Sequence, residues 1–178
     1  MNERINKVLC FLDEHNIDYK VVYHPSLFTI EEALPFWDSL DELKGCTHCK
    51  NLFLRNHSGK RHYLVTMECH KSLDFVWLQN VIKEGKLSFA SPERMERCLG
   101  LLPGSVSPLG LINDIDLTEA NTRELFDNGH RVKFFIDKDL FDAEMMTFHP
   151  CDNTASVALS NEEFKRFLEI WGGEVEWF

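Results

Sequence analysis

Three groups of residues, far apart in the chain, carry chemistry suited to a phosphate or an ester. Lys50 and Asn51 stand side by side at the start of an apolar run, Lys50-Asn51-Leu52-Phe53-Leu54-Arg55. An ammonium binds phosphate or a carbonyl oxygen, and an amide offers both donor and acceptor. The stretch Pro103-Gly104-Ser105-Val106-Ser107-Pro108 holds a Gly-x-x-x-Pro pattern between two stiffening prolines. Glycine adopts positive φ, so successive N–H groups of such a loop are expected to aim at one point and hold an oxyanion or a ribose hydroxyl. His149, in Phe148-His149-Pro150-Cys151-Asp152-Asn153-Thr154-Ala155, supplies an imidazole able to move protons near neutral pH.

Two rival chemistries use the same residue types. Cys46-x-x-Cys49 with Cys69-His70 offers zinc ligands, yet the second pair is adjacent, whereas structural zinc sites use two spaced pairs. Ser105 or Ser107 with His149 offers a serine hydrolase, but no Gly-x-Ser-x-Gly elbow is present and no acid is assigned to the histidine, so direct attack by water is favoured. Cys10 and Cys98 fall in expected helices, as small buried apolar groups.

The elements that must position these groups follow from periodicity and turn chemistry. Asn2 to His15 reads as an amphipathic helix, with Ile5, Val8, Leu9 and Leu12 on one face, and Tyr19 to Tyr23 as a strand stopped by Pro25. Thr29 and Glu32 form a capping box for a short helix that Pro35 is expected to end. Leu52–Leu54 and Tyr63–Val65 flank the glycine-containing turn Asn56 to Lys60, a β-hairpin. Ser72 to Lys83 reads as a helix, Lys86 to Ala90 as a strand, and Ser91-Pro92-Glu93 opens a helix that Gly100 closes. A helix is expected from Thr118, strands at Lys133–Ile136, Met145–Phe148 and Ser156–Leu159, and a last helix from the Ser160/Glu163 capping box to Gly172. The pattern is a mixed α/β fold.

A chain of 178 residues, 44% hydrophobic and 27% charged, suits one globular domain spanning 1–178. The start Met-Asn-Glu-Arg-Ile-Asn-Lys has no apolar signal core and no stretch is long enough for a membrane span, so a cytoplasmic protein with free thiols and no membrane partner is expected. A formal net charge of −10 argues against coating nucleic acid, DNA included. Positive charge is nonetheless concentrated: Leu43 to Met67 contains no Asp or Glu but holds Lys44, Lys50, Arg55, Lys60 and Arg61, an anion-facing surface or a merely solvated hairpin.

Lys-Asn-Leu-Phe-Leu-Arg, the glycine-led loop with its continuation Pro-Leu-Gly-Leu-Ile-Asn-Asp, and Phe-His-Pro followed by Asn-Thr-Ala-Ser together resemble the YbaK/ProX family of free-standing prolyl-tRNA editing domains. The resemblance spans most of the chain, with the motifs in the family's order. It implies an α+β fold with a mixed, mostly antiparallel, partly barrel-like sheet surrounded by helices. It also implies hydrolysis of alanine mischarged onto proline-specific tRNA, without cofactor or metal, the partners being the aminoacylated tRNA 3′ end and a synthetase or elongation factor. Catalytic roles are carried over to Lys50, Asn51, Gly104 and His149, and substrate contacts to Arg55, Ser105, Val106, Ser107, Pro108 and Asn153. Cysteinyl-tRNA deacylation and a non-catalytic module binding aminoacyl-tRNA or a synthetase are the alternatives.

Overall fold

The computed structural model describes residues 2–27, 29–115, 117 and 121–178. Local side chains set most helix ends. In α1 (Glu3–Glu14) the Asn2 side chain accepts from the Arg4 amide, and Ile5, Val8 and Leu12 are buried. Cys10 lies on its outer face, exposed rather than buried as expected. Helix α2 (Ile30–Asp38) begins where Thr29 accepts from the Glu32 amide. It does not stop at Pro35. A proline removes one backbone bond and crowds the preceding turn, and the burial of Ala33 and Trp37 against Leu43 and Ala158 carries the helix through that defect.

Helix α3 (Phe75–Ile82) starts after Ser72 because Asp74 caps it, and it ends on Lys83 at φ 59°, ahead of Gly85. Helix α4 (Pro92–Leu99) runs from its Ser91 cap to Gly100 at φ 64°, and α5 (Asn161–Trp171) from its Ser160 cap to Gly172 at φ 76°, as the sequence implies. The helix expected from Thr118 begins on residues outside those described, and beyond them Thr122–Glu124 forms a short 3₁₀ turn.

The strands are β1 (Lys20–Tyr23), β2 (Thr47–Asn56), β3 (His62–Glu68), β4 (Leu87–Phe89), β5 (Val132–Ile136), β6 (Met145–Phe148), β7 (Ala155–Ser160) and β8 (Val175–Trp177). They form a mixed sheet in the order β1-β7-β6-β2-β3-β5-β8, with β4 pairing on β2. Pairs β1/β7, β6/β7, β2/β3 and β2/β4 are antiparallel, while β2/β6, β3/β5 and β5/β8 are parallel. The order ends at β1 and β8, so its ladders do not close a full barrel among the described residues.

Strand alternation buries both faces of the sheet. Phe53, Leu64, Phe134, Ile136, Val157 and Leu159 face a core shared with α1, α4 and α5. Their neighbours Leu54, Tyr63, Val65 and Phe135 face Leu78 and Ile82 of α3, and Ala158 faces α2. The long strand β2 joins the two halves, and its behaviour creates the cleft. It pairs with β6 only through Thr47↔Met146 and His48↔Thr147, then continues along β3 while β6 ends at Phe148. Carrying the register on would set His149 level with Lys50. The two parallel strands part there, and other elements line the crevice that opens.

Candidate active site

A cleft of about 270 Å³ sits where β2 and β6 separate, lined by Lys50, Asn51, Gly104, Val106 and His149 together with Trp37, Ala33 and Cys49. Lys50, Gly104 and His149, each at least 45 positions from the next in sequence, thus meet at one place.

Lys50 lies within β2, half-buried and opposite Met67, not at the strand's edge. Among the described residues no carboxylate pairs with it. Other lysines on the sheet and its connections are neutralised: Lys71 by Asp137 and Asp139 at 2.6 and 2.5 Å, and Lys133 by Glu174 and Glu176 at 2.5 and 3.0 Å. In a chain of net charge −10, an unmatched ammonium in a cleft is a site for an anion or a polarised oxygen. Beside it, the Asn51 side-chain oxygen accepts from the Thr66 hydroxyl at 2.6 Å, and Thr66 is fully buried. That bond holds the amide plane and leaves its NH₂ to the cleft.

His149 is oriented by a backbone carbonyl. Its Nδ1 lies 2.9 Å from the Ala155 oxygen, which can only accept, so Nδ1 carries the proton and Nε2 keeps a lone pair. Burial holds its pKa below the ordinary histidine value, with His24 adding to the shift, so the ring is neutral at pH 7. The turn after it is tied down away from the cleft: Asp152 accepts from the Thr154 amide at 3.0 Å and from the Asn2 side chain at 2.6 Å, and Cys151 is buried at φ 62°.

The loop after α4 departs from the expected arrangement of successive N–H donors. Gly104 has φ 86°, but the next amide, of Ser105, is spent on the Leu102 carbonyl at 3.1 Å. The amides of Gly104 and Val106 have no protein acceptor among the described residues, so the donors alternate rather than follow one another. Ser105 and Ser107 turn inward: Ser105 Oγ donates to the Leu102 carbonyl at 2.8 Å, and Ser107 Oγ accepts from the Leu109 amide at 3.2 Å and starts the 3₁₀ turn Pro108–Asn113. Both serines and Pro108 are buried. Of the residues assigned to substrate contacts, Val106 lines the cleft, while Ser105, Ser107 and Pro108 hold the loop's shape. Asn153 is half-buried in the pinned turn outside the lining, and Arg55 lies at the far end of β2 with its guanidinium on the Asn56 and His57 carbonyls.

Several lining residues escape sequence reasoning. Trp37 reaches the cleft because α2 continues past Pro35, and its ring stacks on His48 with centroids 4.4 Å apart. His48 in turn contacts Thr147 Oγ1 through Nδ1 at 2.7 Å, and burial lowers its pKa. Cys49 lines the floor, where burial pushes its thiol pKa far above the usual range. A protonated thiol is a poor nucleophile, and the Thr29 hydroxyl is occupied in capping α2. The cleft therefore presents cationic, amide and imidazole groups but no activated side-chain nucleophile among the described residues. Such a set has the chemistry to hold an anionic, carbonyl-bearing molecule.

Metal-ligand side chains gather elsewhere. Among the described residues Glu68, Cys69 and His70 form such a cluster, with Cys69 Sγ 3.3 Å from Glu68 Oε1 and 3.4 Å from His70 Nδ1. Cys46 and Cys49 do not join it, and the three groups satisfy one another by hydrogen bonds, so the four-ligand arrangement expected of a zinc site does not assemble from Cys46, Cys49, Cys69 and His70.

Residues 24–167 match the family described as "Aminoacyl-tRNA editing domain". The chain is 36% identical over 165 residues to the "Prolyl-tRNA editing protein ProX" of Acetoanaerobium sticklandii, covering 93% of this chain and 90% of that one. It is 34% identical over 157 residues to the mouse "Prolyl-tRNA synthetase associated domain-containing protein 1", covering 86% and 82% respectively. Among solved structures, a candidate trans-editing enzyme for prolyl tRNA synthetase superposes with a TM-score of 0.67 at 19% identity, covering 99% of this chain and 96% of the other, which is a likeness of fold.

Proposed function

Because the chain belongs to the aminoacyl-tRNA editing domain family, we propose that this aminoacyl-tRNA hydrolase acts on alanine misattached to proline-specific tRNA, releasing alanine and intact tRNA. A synthetase pocket built for proline excludes the smaller alanine poorly, since a few missing methylenes change binding by only about 1–3 kcal/mol. A second site that admits only small side chains corrects the error. The observation that carries this reading is the meeting of an unneutralised Lys50, an oriented Asn51 amide and a neutral His149 in one cleft. The name of the bacterial relative, a prolyl-tRNA editing protein, supports the proline context.

In this mechanism Lys50 holds a phosphate or ester oxygen of the terminal adenosine, and the Asn51 NH₂ contacts the same nucleotide. The Gly104 and Val106 amides face the ester or the ribose hydroxyl, and the Nε2 lone pair of His149 serves a water molecule. An aminoacyl ester is already activated, so orientation and aimed donors suffice for the acceleration required. Within the acid-free segment 43–67, Lys50 lines the cleft, whereas Lys60 and Arg61 lie at the far end of the β2–β3 hairpin, with Arg61 donating to the Leu125 carbonyl and stacked over Phe126. Measuring ester loss from alanyl-, cysteinyl- and prolyl-tRNA with proline anticodons tests the proposal. Turnover of the alanyl ester with the prolyl ester spared is expected. Preference for the cysteinyl ester would shift the substrate, and no turnover of any ester would leave a binding module.

A further inference from the structure

Sharing Trp37, Cys49, Asn51 and His149 with the cleft is a small recess of about 10 Å³, bounded also by Thr147, Phe148 and Ser156. That volume is about what one water molecule needs, provided two to four polar partners surround it. The partners are there. Trp37 is 5% exposed, and its indole N–H is buried with no acceptor among the described residues. His149 keeps its Nε2 lone pair because Nδ1 is committed to the Ala155 carbonyl. The Thr147 hydroxyl, engaged by His48 at 2.7 Å, and the Ser156 hydroxyl, engaged by His24 at 2.9 Å, each retain further hydrogen-bonding capacity. The Trp37 and His149 ring centroids are 6.3 Å apart. Both rings bound the recess, so one water there can take hydrogen bonds of about 2.9 Å.

A methyl group in this recess would leave the indole donor and the imidazole acceptor desolvated and unpaired, which is unfavourable. Water is the better occupant. We infer that the recess holds one ordered water between the Trp37 indole N–H and His149 Nε2, that this water is the nucleophile of the hydrolysis, and that Trp37 is therefore a residue of the reaction's machinery. The indole N–H takes one lone pair of the water and Nε2 takes one of its protons, which leaves the second lone pair directed outward to the cleft. The water oxygen adds to the ester carbonyl carbon as its proton passes to Nε2. Collapse of the tetrahedral adduct breaks the bond from that carbon to the ribose oxygen, which recovers the proton from the imidazolium. The products are the free amino acid and tRNA with its terminal hydroxyl restored. The inference rests on the editing reading for the identity of the electrophile, but not for the presence of the water.

Two measurements test it. In ¹⁵N-labelled protein, with the Trp37 indole resonance assigned through its loss in W37F, a rotating-frame Overhauser cross-peak from the indole proton to a long-lived water is expected, and its absence overturns the inference. In deacylation of alanyl-tRNA, W37F is expected to lower kcat at least tenfold with KM within twofold of wild type, measured on folded protein because the smaller ring also loses packing against His48. A purely packing role for Trp37 would instead leave kcat of the folded variant near wild type, and that result overturns the inference while leaving the editing reading intact. A wild-type protein inert on every aminoacyl-tRNA overturns the editing reading and the water's role as nucleophile together, whatever the indole cross-peak shows.

Discussion

Replacing Lys50 by alanine separates a residue kept for substrate from one kept for the fold. Lys50 has no carboxylate partner among the described residues and is half-buried on β2, so its removal strands no buried charge. Stability should change by no more than about 0.5 kcal/mol, as for a side chain free of structural partners. A hydrogen bond to a charged group is worth about 1.5–3 kcal/mol, and about 1.4 kcal/mol corresponds to a factor of ten. The expected loss in kcat/KM on alanyl-tRNA is therefore about 10- to 150-fold. Lys71 is the counter-case: its ammonium lies 2.6 Å from Asp137, whose side chain is only 3% exposed. Lys71→Ala strands that carboxylate and should cost roughly 2 kcal/mol of stability, less than for a fully enclosed pair because the lysine is partly solvated, with kcat/KM on folded protein near wild type. Single-turnover deacylation and thermal melts of both variants make the comparison. A Lys50→Ala enzyme with undiminished kcat/KM, or one that melts as early as Lys71→Ala, would refute the reasoning.

Thr66→Val removes the hydroxyl that holds the Asn51 amide at 2.6 Å; about 1 kcal/mol of stability and a several-fold drop in kcat/KM are expected, and an unchanged rate would show that Asn51 needs no such orientation. The pKa of His149 is lowered by burial and by His24, so the neutral ring persists to lower pH than for a free histidine. The acid limb of the pH–rate profile of kcat/KM should be centred below the ordinary histidine value of about 6.5; a fall centred above pH 7 would contradict this. His62, fully buried and accepting from Arg94 at 3.0 Å, has its pKa pushed down to about 4 by burial and then by Arg94. The unfolded chain binds that proton more readily, so the stability is complete above about pH 6.5 and roughly 3 kcal/mol of it is lost as the pH falls to about 4. Urea midpoints measured across that range should fall steeply for wild type and less so for His62→Phe.

Helix caps and the hairpin were legible because their causes are local: Asn2, Ser91 and Ser160 accept from amides a few residues ahead, and Gly100 and Gly172 supply the left-handed ends. The candidate residues that the structure brings into one cleft stood out for another reason, since a lysine–asparagine pair, a glycine-led loop and a histidine before proline are chemically conspicuous. What stayed hidden depends on contacts across the fold. Trp37 enters the cleft only because burial of α2 overrides Pro35, and Cys49 only because β2 extends back to Thr47. The short edge strand β8 has no periodicity of its own and exists through its parallel pairing with β5. Ser105 and Ser107 have the composition of substrate contacts, but the loop's own turn consumes their hydroxyls. One signal for Trp37 was available in the sequence: a helix whose cap is strong enough to begin at Thr29 need not yield at its only proline.

The proposed mechanism requires one small cleft to receive the aminoacyl ester between Lys50, the Gly104 loop and His149. The most direct measurement is a crystal structure with 3′-alanylamino-3′-deoxyadenosine 5′-phosphate, in which an amide replaces the labile ester. The alanyl group should lie between Val106, Trp37 and His149, with an oxygen of the phosphate or the acyl group within hydrogen-bonding distance of the Lys50 ammonium. The analogue bound on another surface, or bound with Lys50 and His149 on opposite sides of the protein from its acyl carbon, would contradict the account.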